Sequence, residues 1–155
     1  MATGRDLADQ LLRRASDDEA AARAMLPIKS VTDAIVGFHA QQAVEKSLKA
    51  VLAVHGEDSP FIHDIDGLAD LCEEAGSKLP DGLAGIDALT PYAVGLRYDD
   101  EQSGSVTREE ALAWAAVAVE WARDRVENVT AATDENHDDG ASARRAADGG
   151  ASIHP

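Results

Sequence analysis

The chain has 155 residues and a formal net charge of −15, with 45% hydrophobic, 28% charged and 4% aromatic residues. That length supports one domain with a real core but not comfortably two, and the acid excess argues against broad, charge-driven nucleic-acid binding, because most of the surface repels phosphate. No apolar run approaches the roughly 18 residues of a membrane span, and the charged N-terminus has no signal-peptide core. A cytoplasmic protein that is not bound to a membrane is expected.

Abundant Ala and Leu with few aromatics favour helices over strands. Leu7, Leu11, Ala15, Ala22 and Leu26 recur at steps close to 3.6, which predicts a first helix over 5–26, stopped by Pro27. Ser30 with Asp33 resembles a capping box for a second helix that ends at Gly56. A third helix begins near Asp64, carries Ile65, Leu68, Ala69, Leu71 and Cys72, and closes at Gly76. Residues 79–99 read as helical but broken, and Thr90 before Pro91 suits a kink or restart there. Thr107 and Glu110 form another capping box, opening a long helix to about residue 129. From 130 to 155 periodic apolar residues are missing, so a disordered tail is expected. The expectation is all-α: an up-and-down bundle of four to five helices over 1–129, with a disordered C-terminal tail over 130–155.

The last helix has two apolar stripes. Leu112, Ala115, Ala116, Val119, Val126 and Val129 form one, and Trp114, Val117 and Trp121 the other. Apolar surface on two sides points to burial beyond the bundle's own core, and a homodimer is the economical form of it; cover by the tail or by neighbouring helices is the alternative.

At 100° per residue the second helix also divides in two. Ala40, Val44, Leu48 and Val51 make a core face. His39, Gln42, Glu45, Lys46 and Lys49 share the opposite side, bracketed by Ile35, Phe38 and Leu52. A polar row framed by apolar residues suggests a groove lining or an interface strip rather than a plain wet face.

These residues carry a family resemblance. "FHAQQAVEKSLKAVL" resembles the signature of the HEPN domain, the helical domain named for nucleotide binding in higher eukaryotes and prokaryotes. In the family's order, "HDIDGLADLCEEAG" resembles its third helix, "LTPYAVGLRYDD" its Tyr and Arg-Tyr segment, and "TREEALAWAAVAVEWARDRV" its closing helix. The resemblance spans about residues 7–129 and implies an up-and-down bundle that commonly dimerises. Members often stand beside a small nucleotidyltransferase in toxin–antitoxin pairs, and some are metal-independent ribonucleases.

Ribonuclease members use Arg, four to six residues, then His: Arg holds a phosphate bidentately while His moves a proton. Arg97 is the Arg of the matching segment, but Tyr98, Asp99, Asp100, Glu101, Gln102 and Ser103 follow it, with no His. The catalytic candidates are therefore reduced to Arg97 with His39 or His63, and Asp64 either orients His63 or caps a helix. For ligand binding the candidates are His39, Gln42, Lys46, Lys49, Tyr92, Arg97 and Tyr98, with Arg97 for a phosphate and Tyr for a base. A salt bridge of Arg97 to Asp99, Asp100, Glu101 or Glu45 is the plainer alternative. Neither histidine has a second His or Cys at ligand spacing, and there is no Gly-rich phosphate loop, so no metal and no cofactor is expected. The sequence thus points to a nucleotide- or RNA-associated binding module, with a nucleotidyltransferase as its protein partner. The alternatives are a metal-independent ribonuclease toxin and a purely structural dimerisation or adaptor domain.

Overall fold

The computed structural model describes residues 3–59, 64–93 and 106–147, with side chains up to residue 129. His63, Arg97 and Tyr98 lie outside the described residues. The architecture is an all-α bundle: α1 (Gly4–Met25), α2 (Asp33–Val54), α3 (Ile65–Glu74), two 3₁₀ segments (Asp81–Leu83 and Ile86–Ala93) and α4 (Arg108–Ala147). None of the described residues forms a strand.

Helix α2 is the centre of the bundle. It packs against α1, α3, α4 and the second 3₁₀ segment, which explains its long buried stretch. Ala40, Val44, Leu48 and Val51 are fully buried, as the sequence indicates, and join Ile65, Leu68, Cys72, Leu89, Ala115 and Ala122 in one core. Each fully buried Leu or Ile contributes about 1.5–3 kcal/mol by leaving water. Burial also pushes the Cys72 thiol up to about 12, so this cysteine behaves as a small apolar side chain.

The face of α1 differs from the expected stripe. Ala8, Ala15 and Ala22, seven residues apart, are fully buried, while Leu7 is 45% exposed. Small side chains let α1 lie close on α2; at its first residue, a Cβ on Gly4 would stand 2.4 Å from the Ala53 carbonyl oxygen. The Thr3–Asp6 capping box that starts α1 is an additional signal in the sequence, with bonds of 3.1 and 2.9 Å.

Of the other predicted helix starts, two stand. Asp64 caps α3, accepting from the Asp66 amide at 3.1 Å, and Thr107 with Glu110 closes a reciprocal box on α4. The other two differ. The N-cap of α2 is Thr32, without a side-chain cap bond, so Asp33 is the first residue of the helix rather than the third of a Ser30 box, and its carboxylate pairs with Arg108 at 2.6 Å. At Thr90 the second 3₁₀ segment is unbroken and runs on through Pro91 to Ala93, and residues 94–105 lie outside the described ones. Arg108 also donates to the carbonyls of Met25, Leu26, Ile28 and Val31, so one guanidinium holds the whole α1–α2 connection against the first turn of α4.

The second stripe of α4 is partly covered within the chain. Trp114, Val117 and Trp121 pack on the main core, Trp121 donates through Nε1 to the Lys78 carbonyl at 3.1 Å, and a Cβ on Gly82 would stand 3.3 Å from Val117. Residues 78–82 therefore provide part of the second contact surface, the cover by neighbouring residues that stands as the alternative to a dimer. Past residue 129, where apolar periodicity ends, the α4 backbone is traced as helix to Ala147.

Candidate functional site: the polar seam between α1 and α2

The polar row of α2 meets α1. His39 Nδ1 lies 3.0 Å from Asp18 Oδ1, and Lys46 Nζ pairs with Asp18 Oδ2. One carboxylate on α1 thus takes two donors two turns apart on α2, one on each oxygen. The side chains are 31% exposed for His39, 26% for Lys46 and 14% for Asp18, so the cluster is open to solvent on the donors' side. Phe38 stands edge-on to the His39 ring, with centroids 5.4 Å apart.

Glu45 of the row turns inward, beside its neighbour Gln41, and Gln42 and Lys49 are part-buried around it. Gln41 is fully buried and Glu45 nearly so. Gln41 Nε2 donates to Glu45 Oε2 at 2.9 Å, Gln42 Nε2 donates to Gln41 Oε1 at 2.7 Å, and Lys49 Nζ pairs with Glu45 Oε1 at 2.7 Å. A buried carboxylate needs such donors, since its desolvation is otherwise costly. The structure therefore divides the predicted row: His39 and Lys46 form an accessible edge with Asp18, while Gln42 and Lys49 serve a buried network centred on Glu45. Asp18 was legible in principle, because it sits three residues after Ala15 and four before Ala22, on the face that meets α2.

Tyr92 is a core residue rather than an open contact. Its ring lies on Gly37, where a Cβ would fall 2.5 Å from Cδ1, and its hydroxyl donates to the Val106 carbonyl at 3.4 Å. Burial, with a smaller contribution from Asp33, raises its pKa. Among the described residues no group of three or more His, Cys, Asp or Glu could hold a metal ion, and no helix is long and apolar enough to cross a membrane.

A second polar cluster, at the far end of α2, was not singled out by any sequence motif. Ser77 is fully buried, and its Oγ accepts from Arg125 Nε at 3.2 Å and lies 2.7 Å from His55 Nε2. With Arg125 donating to Oγ, the hydroxyl proton is directed at His55 Nε2, which suits a neutral imidazole. Burial first, then Arg125, lowers the His55 pKa below 6.5, while Glu57 opposes the shift. The sign follows: the unfolded chain takes the proton first, so the stability contributed by neutral His55 is whole above about pH 6.5 and is lost as pH falls through the lowered folded value. Urea denaturation from pH 7.5 to 5 should show a steeper loss of stability for the wild type than for His55→Gln; equal slopes would contradict this.

A helical bundle, with His39 and Lys46 meeting one carboxylate at a partly exposed edge on the seam of its first two helices, is the class of protein that fold and site define. The family model of the HEPN domain matches residues 8–128, and the chain belongs to the HEPN domain family. Comparison with curated proteins and with solved structures gives no match.

Proposed function

We propose that this protein is a nucleotide- or RNA-associated HEPN binding module that takes a phosphate-bearing ligand at the α1–α2 seam. The observation that supports this best is the convergence of His39 and Lys46 on one anion at a solvent-open edge. Gln42 and Lys49 support that edge from the Glu45 network, and Arg97 and Tyr98 belong to the proposed contact set by their place in the family pattern. The same resemblance extends the proposal to a homodimer in the cytoplasm and to a nucleotidyltransferase partner of the toxin–antitoxin type.

One observation favours a second reading. A carboxylate at His39 Nδ1 orients the imidazole as a base would be oriented, which suits a metal-independent ribonuclease using Arg97 with His39 or His63. End-labelled RNA incubated with the full chain separates the two. The binding reading expects no cleavage, together with a rise in melting temperature on adding ATP that Lys46→Ala removes. Cleavage that His39→Ala abolishes would establish the ribonuclease instead, and neither response would leave a purely structural adaptor.

A further inference from the structure

The pairing of Asp18 with both donors has a consequence for regulation of the seam, and it rests on the nucleotide reading above. We propose that Asp18 is a built-in competitor for the phosphate of a nucleotide: its carboxylate occupies the place between His39 and Lys46 that a ligand phosphate takes when it binds.

The geometry points this way because the carboxylate uses its two oxygens separately. Oδ1 meets His39 Nδ1 at 3.0 Å and Oδ2 meets Lys46 Nζ. Two donors spaced along one helix face, aimed at two oxygens of one anion, suit two oxygens of a phosphate equally well, and both bonds are of the charge-assisted kind that phosphate accepts. The competing acid is also the one that can leave. Glu45, the partner of Lys49, is 3% exposed and held by Gln41 and Gln42 as well, so moving it would uncover a buried network. Asp18 belongs to the neighbouring helix, at a part-exposed position from which its short side chain can turn to water.

The ligand class follows from the size and charge of the site. Two donors hold two oxygens of one phosphate group, and a chain of net charge −15 repels a long polyanion. A nucleotide fits both limits. Its apparent affinity is then the intrinsic affinity multiplied by the fraction of molecules in which Asp18 has released the donors. Tight internal pairing keeps that fraction small, so the seam responds only to ligand concentrations high enough to displace the carboxylate.

Calorimetric titration of the full chain with ATP, and separately with inorganic tripolyphosphate, tests this at low salt. Asp18→Asn should bind both about tenfold more tightly than the wild type, because the neutral amide no longer holds Lys46. Asp17→Asn removes the same charge from a neighbouring position and should change affinity less than about twofold. Wild-type binding with Asp18→Asn equal or weaker overturns the competition alone, and an equal gain from Asp17→Asn reduces it to general electrostatics and also overturns it. Failure of both wild type and Asp18→Asn to bind either probe overturns the nucleotide reading beneath it. If Asp18→Asn does not fold, carbon and nitrogen NMR on the wild type decides: ATP should shift the Asp18 carboxyl and His39 Nδ1 together. Movement of neighbouring amides with both of those unmoved overturns the proposal.

Discussion

Replacing Arg108 with Ala should destabilise the domain by about 3 kcal/mol, lowering its melting temperature by about 10 °C. The guanidinium pairs with Asp33 at 2.6 Å and donates to four backbone carbonyls between Met25 and Val31, with its own side chain only 14% exposed. It closes the C-terminal end of α1, the connection and the start of α2 onto α4, and no other described side chain holds these four carbonyls. Ala leaves the carbonyls to water and removes the ion pair. A lysine in its place would keep the charge but lose the planar fork, so Arg108→Lys should recover less than half of the loss. Thermal melts followed by circular dichroism check both; an Ala variant within about 2 °C of wild type would contradict the role given to Arg108.

The second large effect concerns Gly37 and Tyr92. A Cβ on Gly37 would stand 2.5 and 2.6 Å from ring atoms of Tyr92 and 3.1 Å from Cγ, the base of a ring that cannot swing aside without moving its backbone. Gly37→Ala should therefore cost about 2 kcal/mol, although in an uncrowded helix the same change gains about 1 kcal/mol from propensity. Tyr92→Ala, which empties a core position and removes the bond to Val106, should cost about 4 kcal/mol. In the Tyr92→Ala background the clash is gone, so Gly37→Ala should become stabilising. Urea denaturation of the four proteins reads out this change of sign. Simple addition of the two losses would show that the ring does not lie on Gly37.

These two contacts mark where sequence reading reached its limit. Periodicity and capping are local signals, and they located α1, α2, α3 and the start of α4, since Leu48, Ile65, Leu68 and Ala115 all lie inward and Asp64 and Thr107 cap as their spacing implies. The errors came where distant parts of the chain meet. Asp33 is the first residue of α2 rather than the third of a Ser30 box, and its carboxylate pairs with Arg108, far along the chain. Leu7 yields the α1 interface to Ala8 because two helices in close approach favour the small side chain.

For the candidate site, the polar row of α2 was legible in the sequence, and the family signature lies on the same helix. The sequence did not separate His39 and Lys46, which share Asp18, from Gln42 and Lys49, which serve a buried carboxylate. That division depends on which α1 residue stands opposite: helical spacing from Ala15 and Ala22 puts Asp18 on that face, but not which α2 side chains it meets. The Ser77 cluster was out of reach for the same reason, since His55, Ser77 and Arg125 come from three separate parts of the chain.

The central claim is that the α1–α2 seam binds a nucleotide, and a proton–nitrogen NMR titration of the full chain with ATP tests it most directly. The account predicts shifts concentrated at residues 39–49 of α2 and 15–22 of α1, with Ser77 and Trp121 at the other end of the bundle unmoved. Shifts centred on Ser77 and Trp121, or none at saturating ATP, would contradict it.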